Sequence, residues 1–419
     1  MKNILVIGTG TIGEPLIGLF ADFKKKLEVD VYFHKRTPLM DEVAKVNSLI
    51  SRGAKLVVDS DKVEAFQALG HEPVLNYHAA LEFCDVIIDC TPAGNIAKEA
   101  HYLSLKKYKN KKKYFIAQGS EKGFGLPYAY GINDEALLRE SPQFIQVVSC
   151  NTHNVSSLIK TICPTIADLH YGDFTCIRRA NDVSQNGSFI ASPEVGKHEN
   201  RSFGTHHAKD AYDLLATIYE HPNIFSSALK VNTQYMHTIR FNLHIKKYTT
   251  EKDIIEKFQE NKFISVTHKN LANKVFSFGR DHGYYGRIFN HTVISLPSLH
   301  IGRNNGNSTV TGFCFTPQDG NSLLSSVAAA MYAVDGRYII VTLIVDGKSA
   351  YSSYYNTTNS FPKKEKEYDI FINKFCNRFL SFSENELYGV AENYMTALNA
   401  HRNLKKVLSR SGRVVWRSP

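Results

Sequence analysis

Near its start the chain reads Lys2-Asn3-Ile4-Leu5-Val6-Ile7-Gly8-Thr9-Gly10-Thr11-Ile12-Gly13. Six residues of strand character run into a GxGxxG loop. Beyond the loop, Leu16, Leu19 and Phe20 within residues 12–23 keep helical spacing. A glycine loop between a strand and a helix suits a dinucleotide. The first glycine permits the tight turn, the second lets backbone N–H groups approach a pyrophosphate, and the third allows close helix–strand packing. The helix N-terminus then offers unpaired N–H groups and a partial positive charge to the phosphates. The competing reading is a glycine-rich turn without ligand. Gly8, Gly10, Thr11, Ile12 and Gly13 are the candidate cofactor residues here.

Working outward, Val29–Phe33, Cys84–Cys90, Tyr114–Ala117 and Phe144–Val148 read as further strands separated by helical stretches. That alternation predicts a parallel sheet with helices on both faces, the Rossmann arrangement, over residues 1–149. From about 150 the texture changes. A helix at 152–162 is followed by strand signals at 174–179, 228–236, 240–247, 262–267 and 308–315, with a polar stretch at 181–205 and a helix near 208–219. The expected fold is α/β: a dinucleotide-binding domain (1–149) plus an α+β catalytic domain with a mixed or antiparallel sheet (150–320). Residues 321–419 supply a helix at 321–334 that returns to the first domain, and then an extension. A hairpin at 337–354 and helices at 368–381 and 384–409 are read within that extension.

The composition fits a folded chain: 43% of residues are hydrophobic and 21% charged, which argues against wholesale disorder. No apolar run approaches the roughly 20 residues that cross a bilayer. With no export signal and no CxxC pair among seven cysteines, the expectation is a cytoplasmic protein with reduced thiols and no membrane partner. Fifty Lys and Arg against forty Asp and Glu give +10, which favours anionic partners and leaves nucleic acid open. Clusters at 105–113 and in the last 18 residues read first as solvated surface.

The end of the second strand reads Phe33-His34-Lys35-Arg36-Thr37, with no acid to hold a ribose 2′-OH. Lys35 and Arg36 are placed to pair with a 2′-phosphate instead, so NADP is the preferred cofactor and NAD the alternative. Exposed loop cations without a ligand are the competing reading. Cys150, in Val148-Ser149-Cys150-Asn151-Thr152-His153-Asn154, falls between a strand and a helix, where unpaired N–H groups favour a thiolate and can receive an oxyanion. Cys84, Cys90, Cys176 and Cys314 sit in apolar strand patterns and read as core thiols. His206-His207 raises the question of metal. Adjacent histidines are expected to point apart and no third ligand stands at metal spacing, so no metal is expected.

These segments resemble the archaeal-type (class II) phosphorylating glyceraldehyde-3-phosphate dehydrogenases, over about residues 1–335. Five matches lie in order: Gly8–Gly13, Asp89-Cys90-Thr91-Pro92-Ala93-Gly94, Ala117-Gln118-Gly119-Ser120-Glu121-Lys122, Val147–Thr152 and Ile177-Arg178-Arg179-Ala180-Asn181-Asp182. Thr205–Asp210 and Tyr235-Met236-His237 continue the series. The resemblance implies Cys150 as nucleophile and His237 as partner base; on residues alone His237 reads as a satisfied core histidine. It implies cofactor contacts from Thr11, Ile12, Gly119, Arg179 and Gln318. Contacts to substrate or phosphate are implied for Ser149, Asn151, Thr152, Arg178, His206 and His207. It further implies a phosphorylated aldehyde and inorganic phosphate as reactants, a role in glycolysis or gluconeogenesis, and a homotetramer. Where the family usually has Cys-Asn-Thr-Thr-Gly, this chain has Cys150-Asn151-Thr152-His153-Asn154, which places His153 beside the expected phosphate pocket. Two alternatives remain open: a reductase of another acyl phosphate of the semialdehyde dehydrogenase type, and a catalytically inactive cofactor-binding protein with a basic surface for RNA or protein.

Overall fold

The computed structural model describes residues 1–106, 111–119, 121–181, 187, 189–282, 286–304, 306–317, 319–334, 339–345 and 348–354. The first sheet holds eight strands: β1 (Lys2–Ile7), β2 (Val29–His34), β3 (Lys55–Val58), β4 (Leu75–Asn76), β5 (Val86–Asp89), β6 (Tyr114–Gln118), β7 (Leu126–Tyr128) and β8 (Phe144–Val147). Their order is β4-β3-β2-β1-β5-β6-β8-β7, and every pairing is parallel. Parallel strands covered on both faces must be apolar throughout. Ile4, Leu5, Val6, Val86, Ile87 and Ile88 are accordingly all fully buried. The order reverses between β1 and β5, which opens a crevice at their carboxyl ends, and the glycine loop lies there.

The second sheet is mixed: β9 (Leu169–Arg178), β10 (Glu194–Val195), β11 (Ile224–Lys230), β12 (His237–Ile245), β13 (Ile264–Thr267), β14 (Thr292–Asn304) and β15 (Asn307–Thr316), in the order β10-β11-β9-β12-β15-β14-β13. Along β12, buried Ile239, Phe241, Leu243 and Ile245 alternate with more exposed partners, the period of a sheet covered on one face. They share a core with Leu158 and Ile159 of the helix Cys150–Ile162 and with Ala211 and Leu214 of the helix His206–Ala216. β14 escaped the sequence reading because Pro297 interrupts it. Its pairing with β15 shifts register between Ser295 and His300, which accommodates the missing donor.

The helix Gly320–Val334 packs on β5, β6 and β8 of the first sheet. Its Leu323, Leu324 and Val327 join the core that also holds Phe263, Phe289 and Phe315 of the second half. One apolar core therefore spans the junction. A hairpin follows, β16 (Ile339–Val345) against β17 (Lys348–Tyr354). The helices expected at 368–381 and 384–409 lie outside the described residues, as do the C-terminal basic cluster and residues 107–110 of the lysine cluster. Lys113, counted with that cluster as surface, is instead buried and donates to the carbonyls of Glu82 and Cys84. Among the described residues no helix is long and apolar enough to cross a membrane.

Candidate active site

The glycine loop is built as the motif demands. Gly8 takes φ +91°, and a Cβ there would stand 3.1 Å from Cγ2 of Thr91, in the loop after β5. A Cβ on Gly13 would stand 2.0 Å from the Gly8 carbonyl oxygen. Gly10 is exposed, and a Cβ there would meet nothing within 4 Å. Two glycines thus fold the loop, while the third keeps its outer side clear. The loop opens on a cleft of about 700 Å³, bounded on the first-domain side by Thr9, Gly10, Thr11 and Lys45 and on the other by Met236, Arg287, Pro317 and Asp319. A second cavity of about 460 Å³ continues past Gly8 and Thr9 to His34, Lys35, Arg36, Asp59 and Tyr77. A bare-backbone cradle flanked by two connected clefts fits an extended dinucleotide. Ile12 contributes at the head of the helix Gly13–Leu27, its side chain packed against the core.

Two carboxylates enter this region that the sequence did not place there. Asp59, at the end of β3, accepts from His34 Nε2 at 3.1 Å. Glu42 pairs with Lys35, which is buried rather than an exposed loop cation, and with Lys45. Burial raises the Glu42 carboxyl, yet hydrogen bonds from Lys35 and Lys45 hold it below the usual range. Arg36 is exposed at the rim.

Cys150 is the first residue of its helix and is half-buried. Ser149 caps that helix, its Oγ accepting from Thr152 N at 3.3 Å and lying 2.9 Å from Thr152 Oγ1. Ser149 and Thr152 line a smaller cavity of about 240 Å³ with Gly119, Lys122 and Asp210. Gly119, expected at the cofactor, therefore borders the cavity that Ser149 and Thr152 line. The other described thiols are poor rivals, since burial pushes Cys84 up to about 12 and Cys314 up to about 11.

His237 begins β12 opposite Thr316 of β15. Thr316 Oγ1 accepts from Asn154 Nδ2 at 2.8 Å and donates to Asn151 Oδ1 at 3.2 Å, both in the N-terminal part of the cysteine helix. Met236, the neighbour of His237, lines the large cleft. The cysteine helix, the histidine strand and the far end of that cleft thus meet around Thr316. His237 Nδ1 accepts from the Arg179 N–H at 3.1 Å. A neutral ring then carries its proton on Nε2. Burial and the guanidiniums of Arg179 and Arg178 push this imidazole down to about 3, so it is neutral at pH 7.

Arg178 is exposed at the end of β9, while Arg179 is buried and donates to the Tyr235 carbonyl at 3.4 Å. His206 and His207 do not point apart. Their rings stack with centroids 4.0 Å apart, because Thr205 Oγ1 holds His207 Nδ1 at 2.9 Å. Burial lowers both, and Arg178 and Lys122 lower them further. Lys122 also pairs with Asp210 at 2.8 Å. Lys122 and Asp210 lie in matched segments but were given no role, and Lys45 was not singled out, because sequence carries no signal for contacts so distant along the chain. Among the described residues no cluster suits a metal ion. Gln318 lies outside the described residues.

His153 departs from expectation. It is fully buried and faces away from the small cavity, between Ser149 and the helix Gly320–Val334. Asn154 is likewise buried, bonded to Thr316 and Cys314. The two departures from the family segment therefore remodel packing within the helix that begins at Cys150.

Comparison with known proteins agrees with this architecture. No family model matches the chain. It is 30% identical over 282 residues to a glyceraldehyde-3-phosphate dehydrogenase of Picrophilus torridus, covering 64% of this chain and 74% of that protein. The chain belongs to the glyceraldehyde-3-phosphate dehydrogenase family. Proteins of the same name from Hyperthermus butylicus (30% over 263 residues, 60% of this chain and 71% of the relative) and Methanopyrus kandleri (29% over 300 residues, 67% and 78%) are also similar. Membership accounts for the pairing of a glycine-loop cleft with a helix-borne cysteine, and it makes this a divergent archaeal-type member.

Proposed function

We propose that this chain is a phosphorylating glyceraldehyde-3-phosphate dehydrogenase that uses NADP in preference to NAD. What supports the proposal is that Thr316, opposite His237, bonds Asn151 and Asn154 of the helix that begins at Cys150, while Met236 and Pro317 line the glycine-loop cleft. In this reading the Cys150 thiolate attacks the aldehyde carbon, forming a C–S bond and an oxyanion. The resemblance casts His237 as the base. Its bond from Arg179 argues for a donor, with Nε2–H holding that oxyanion beside the first-turn N–H groups of the cysteine helix. A nicotinamide held in the glycine-loop cleft would supply the hydride acceptor. Loss of hydride restores the carbonyl as a Cys150 thioester, and no proton need move. An oxygen of inorganic phosphate then forms a bond to the acyl carbon, the C–S bond breaks, and the thiolate is released with the acyl phosphate.

Two anionic groups must be held around the thioester. Lys122 and Arg178 supply charge, and Ser149, Thr152 and His206 supply polar contacts. Asn151 acts through Thr316, its side-chain oxygen being engaged there. For the cofactor, Gly8, Gly10, Thr11, Ile12 and Gly13 receive the pyrophosphate. Arg36 meets the 2′-phosphate, which also competes with Glu42 for Lys35. Arg179 stands behind His237, and the resemblance assigns Gln318 to the nicotinamide. We infer a homo-oligomer, with a tetramer implied by the resemblance. The test is turnover of glyceraldehyde 3-phosphate with phosphate and NADP or NAD, beside Cys150→Ala. Phosphate-dependent NADPH formation that disappears in the variant supports the proposal. Turnover confined to another semialdehyde would move it to the acyl-phosphate reductase reading.

A further inference from the structure

Both carbonyls that bracket the nucleophile are held by side chains tied to one helix. The Cys150 carbonyl accepts from Asn321 Nδ2 at 3.1 Å, and Asn321 is fully buried in the first turn of the helix Gly320–Val334. The Ser149 carbonyl accepts the backbone N–H of His153 at 3.0 Å and lies 2.9 Å from His153 Nδ1. A carbonyl only accepts, so Nδ1 carries the proton and Nε2 is an acceptor. His153 Nε2 stands 2.8 Å from Ser325 Oγ, which therefore donates to it, and the same oxygen receives the Tyr130 N–H at 3.0 Å. The chain Tyr130 N–H, Ser325 O–H, His153 N–H, Ser149 O=C has one consistent set of donors and every member is satisfied. Its directions follow from the bonding partners alone.

Geometry explains why His153 has this role. It lies four residues after Ser149, one helical turn on, so its ring stacks back over the Ser149 carbonyl. His291 faces it at 5.2 Å between ring centroids, with no hydrogen bond on either of its nitrogens, and stacks on Phe263. His153 thus lies buried between the His291 ring and the Ser325 hydroxyl. Fixing the Ser149 and Cys150 carbonyls fixes the two peptide planes on either side of the reactive residue. The Cys150 N–H lies in the first of these planes. It stands at the head of the helix, where the backbone dipole favours a thiolate or an oxyanion.

We propose that His153, with Ser325 and Asn321, is a positioning residue that pins the Cys150 corner to the helix Gly320–Val334. The inference deepens the proposed function and rests on Cys150 as the nucleophile. Its closing experiment includes an arm that needs no substrate, so it can fail separately from the assignment of glyceraldehyde 3-phosphate.

The full chain and its His153→Leu, His153→Asn and Ser325→Ala variants are compared. One readout is the rate of iodoacetamide alkylation at Cys150 at pH 7, followed by peptide mass spectrometry. The other is kcat and KM for the aldehyde. Leu removes both ring bonds, Asn keeps a donor where Nδ1 stands, and Ala removes only the anchor. The expected result is alkylation slowed about two- to fivefold in His153→Leu, the size of a helix-terminus charge interaction, with Asn recovering most of it. kcat falls about tenfold with KM within twofold, since only geometry at the reacting atom is lost. Adding Ser325→Ala to His153→Leu costs nothing further, because the two act as one chain. Alkylation at the wild-type rate in both His153→Leu and Ser325→Ala would overturn the inference. A rise in KM with kcat unchanged would do the same. Should His153→Leu fail to fold, Ser325→Ala with its smaller change carries the same test.

Discussion

Gly10→Ala separates the fold of the glycine loop from its proposed use. The new Cβ meets no protein atom within 4 Å, and Gly10 is not among the glycines with positive φ. Nothing in the folded chain opposes it, and the loss of unfolded-state freedom stabilises by about 0.4–1 kcal/mol. The thermal midpoint is therefore expected to hold or to rise slightly. The same methyl projects into the open side of the loop, where a pyrophosphate must approach the backbone. Losing one charge-assisted hydrogen bond costs about 1.5–3 kcal/mol, or roughly 10- to 100-fold in affinity. Gly13→Ala is the opposite case: its Cβ would lie 2.0 Å from the Gly8 oxygen, so the loop itself must move and the thermal midpoint falls. Calorimetric titration with NADP, beside thermal unfolding of both variants, reads the two effects apart. Gly10→Ala binding NADP as tightly as the unmodified chain would refute the assignment of this loop as the phosphate cradle.

Replacing Lys35 and Arg36 together by Ala should lower the NADP-to-NAD ratio of kcat/KM at least tenfold, while Glu42→Gln, which frees Lys35, should raise it; steady-state assays with each cofactor check both. His237→Asn is expected to reduce kcat about 10²- to 10³-fold, as for loss of one oxyanion donor, and to leave the midpoint of the pH–kcat profile where it was, because His237 is already neutral throughout. Stability should fall in acid. Burial holds His153 down to about 4, whereas an unfolded histidine titrates near 6.5, so its contribution is complete above 6.5 and drains away as pH falls toward 4. Between pH 7 and 5 this one ring accounts for about 2 kcal/mol, and urea unfolding at the two pH values should find that difference reduced in His153→Leu.

The first sheet was legible because parallel strands buried on both faces are nearly unbroken apolar runs, as in Ile4–Ile7 and Val86–Ile88. Short strands such as Leu75-Asn76 and Leu126–Tyr128 carry no such run, and Pro297 hides β14. The placement of the glycine loop and of Cys150 was readable because it is local: a strand, a turn and a helix N-terminus adjoin in sequence. What sequence could not supply were partners brought in from afar. Lys35 read as a 2′-phosphate ligand with no partner in the chain, and the fold sets Glu42 against it. His153 looked like a pocket residue because it follows Cys150 by three residues. Its surroundings are instead set by Ser325, 172 residues away. Likewise the stacked His206 and His207 follow from a bond to Thr205 that residue spacing does not reveal.

The most direct measurement mixes the protein with glyceraldehyde 3-phosphate and NADP in the absence of inorganic phosphate, quenches in acid, and maps peptides by mass spectrometry. An acyl adduct on the peptide carrying Cys150, formed only when both aldehyde and cofactor are present and discharged by adding phosphate, is the predicted result. Release of NADPH with no adduct on Cys150, or an adduct on another cysteine, would contradict the central claim that this thiol carries the reaction.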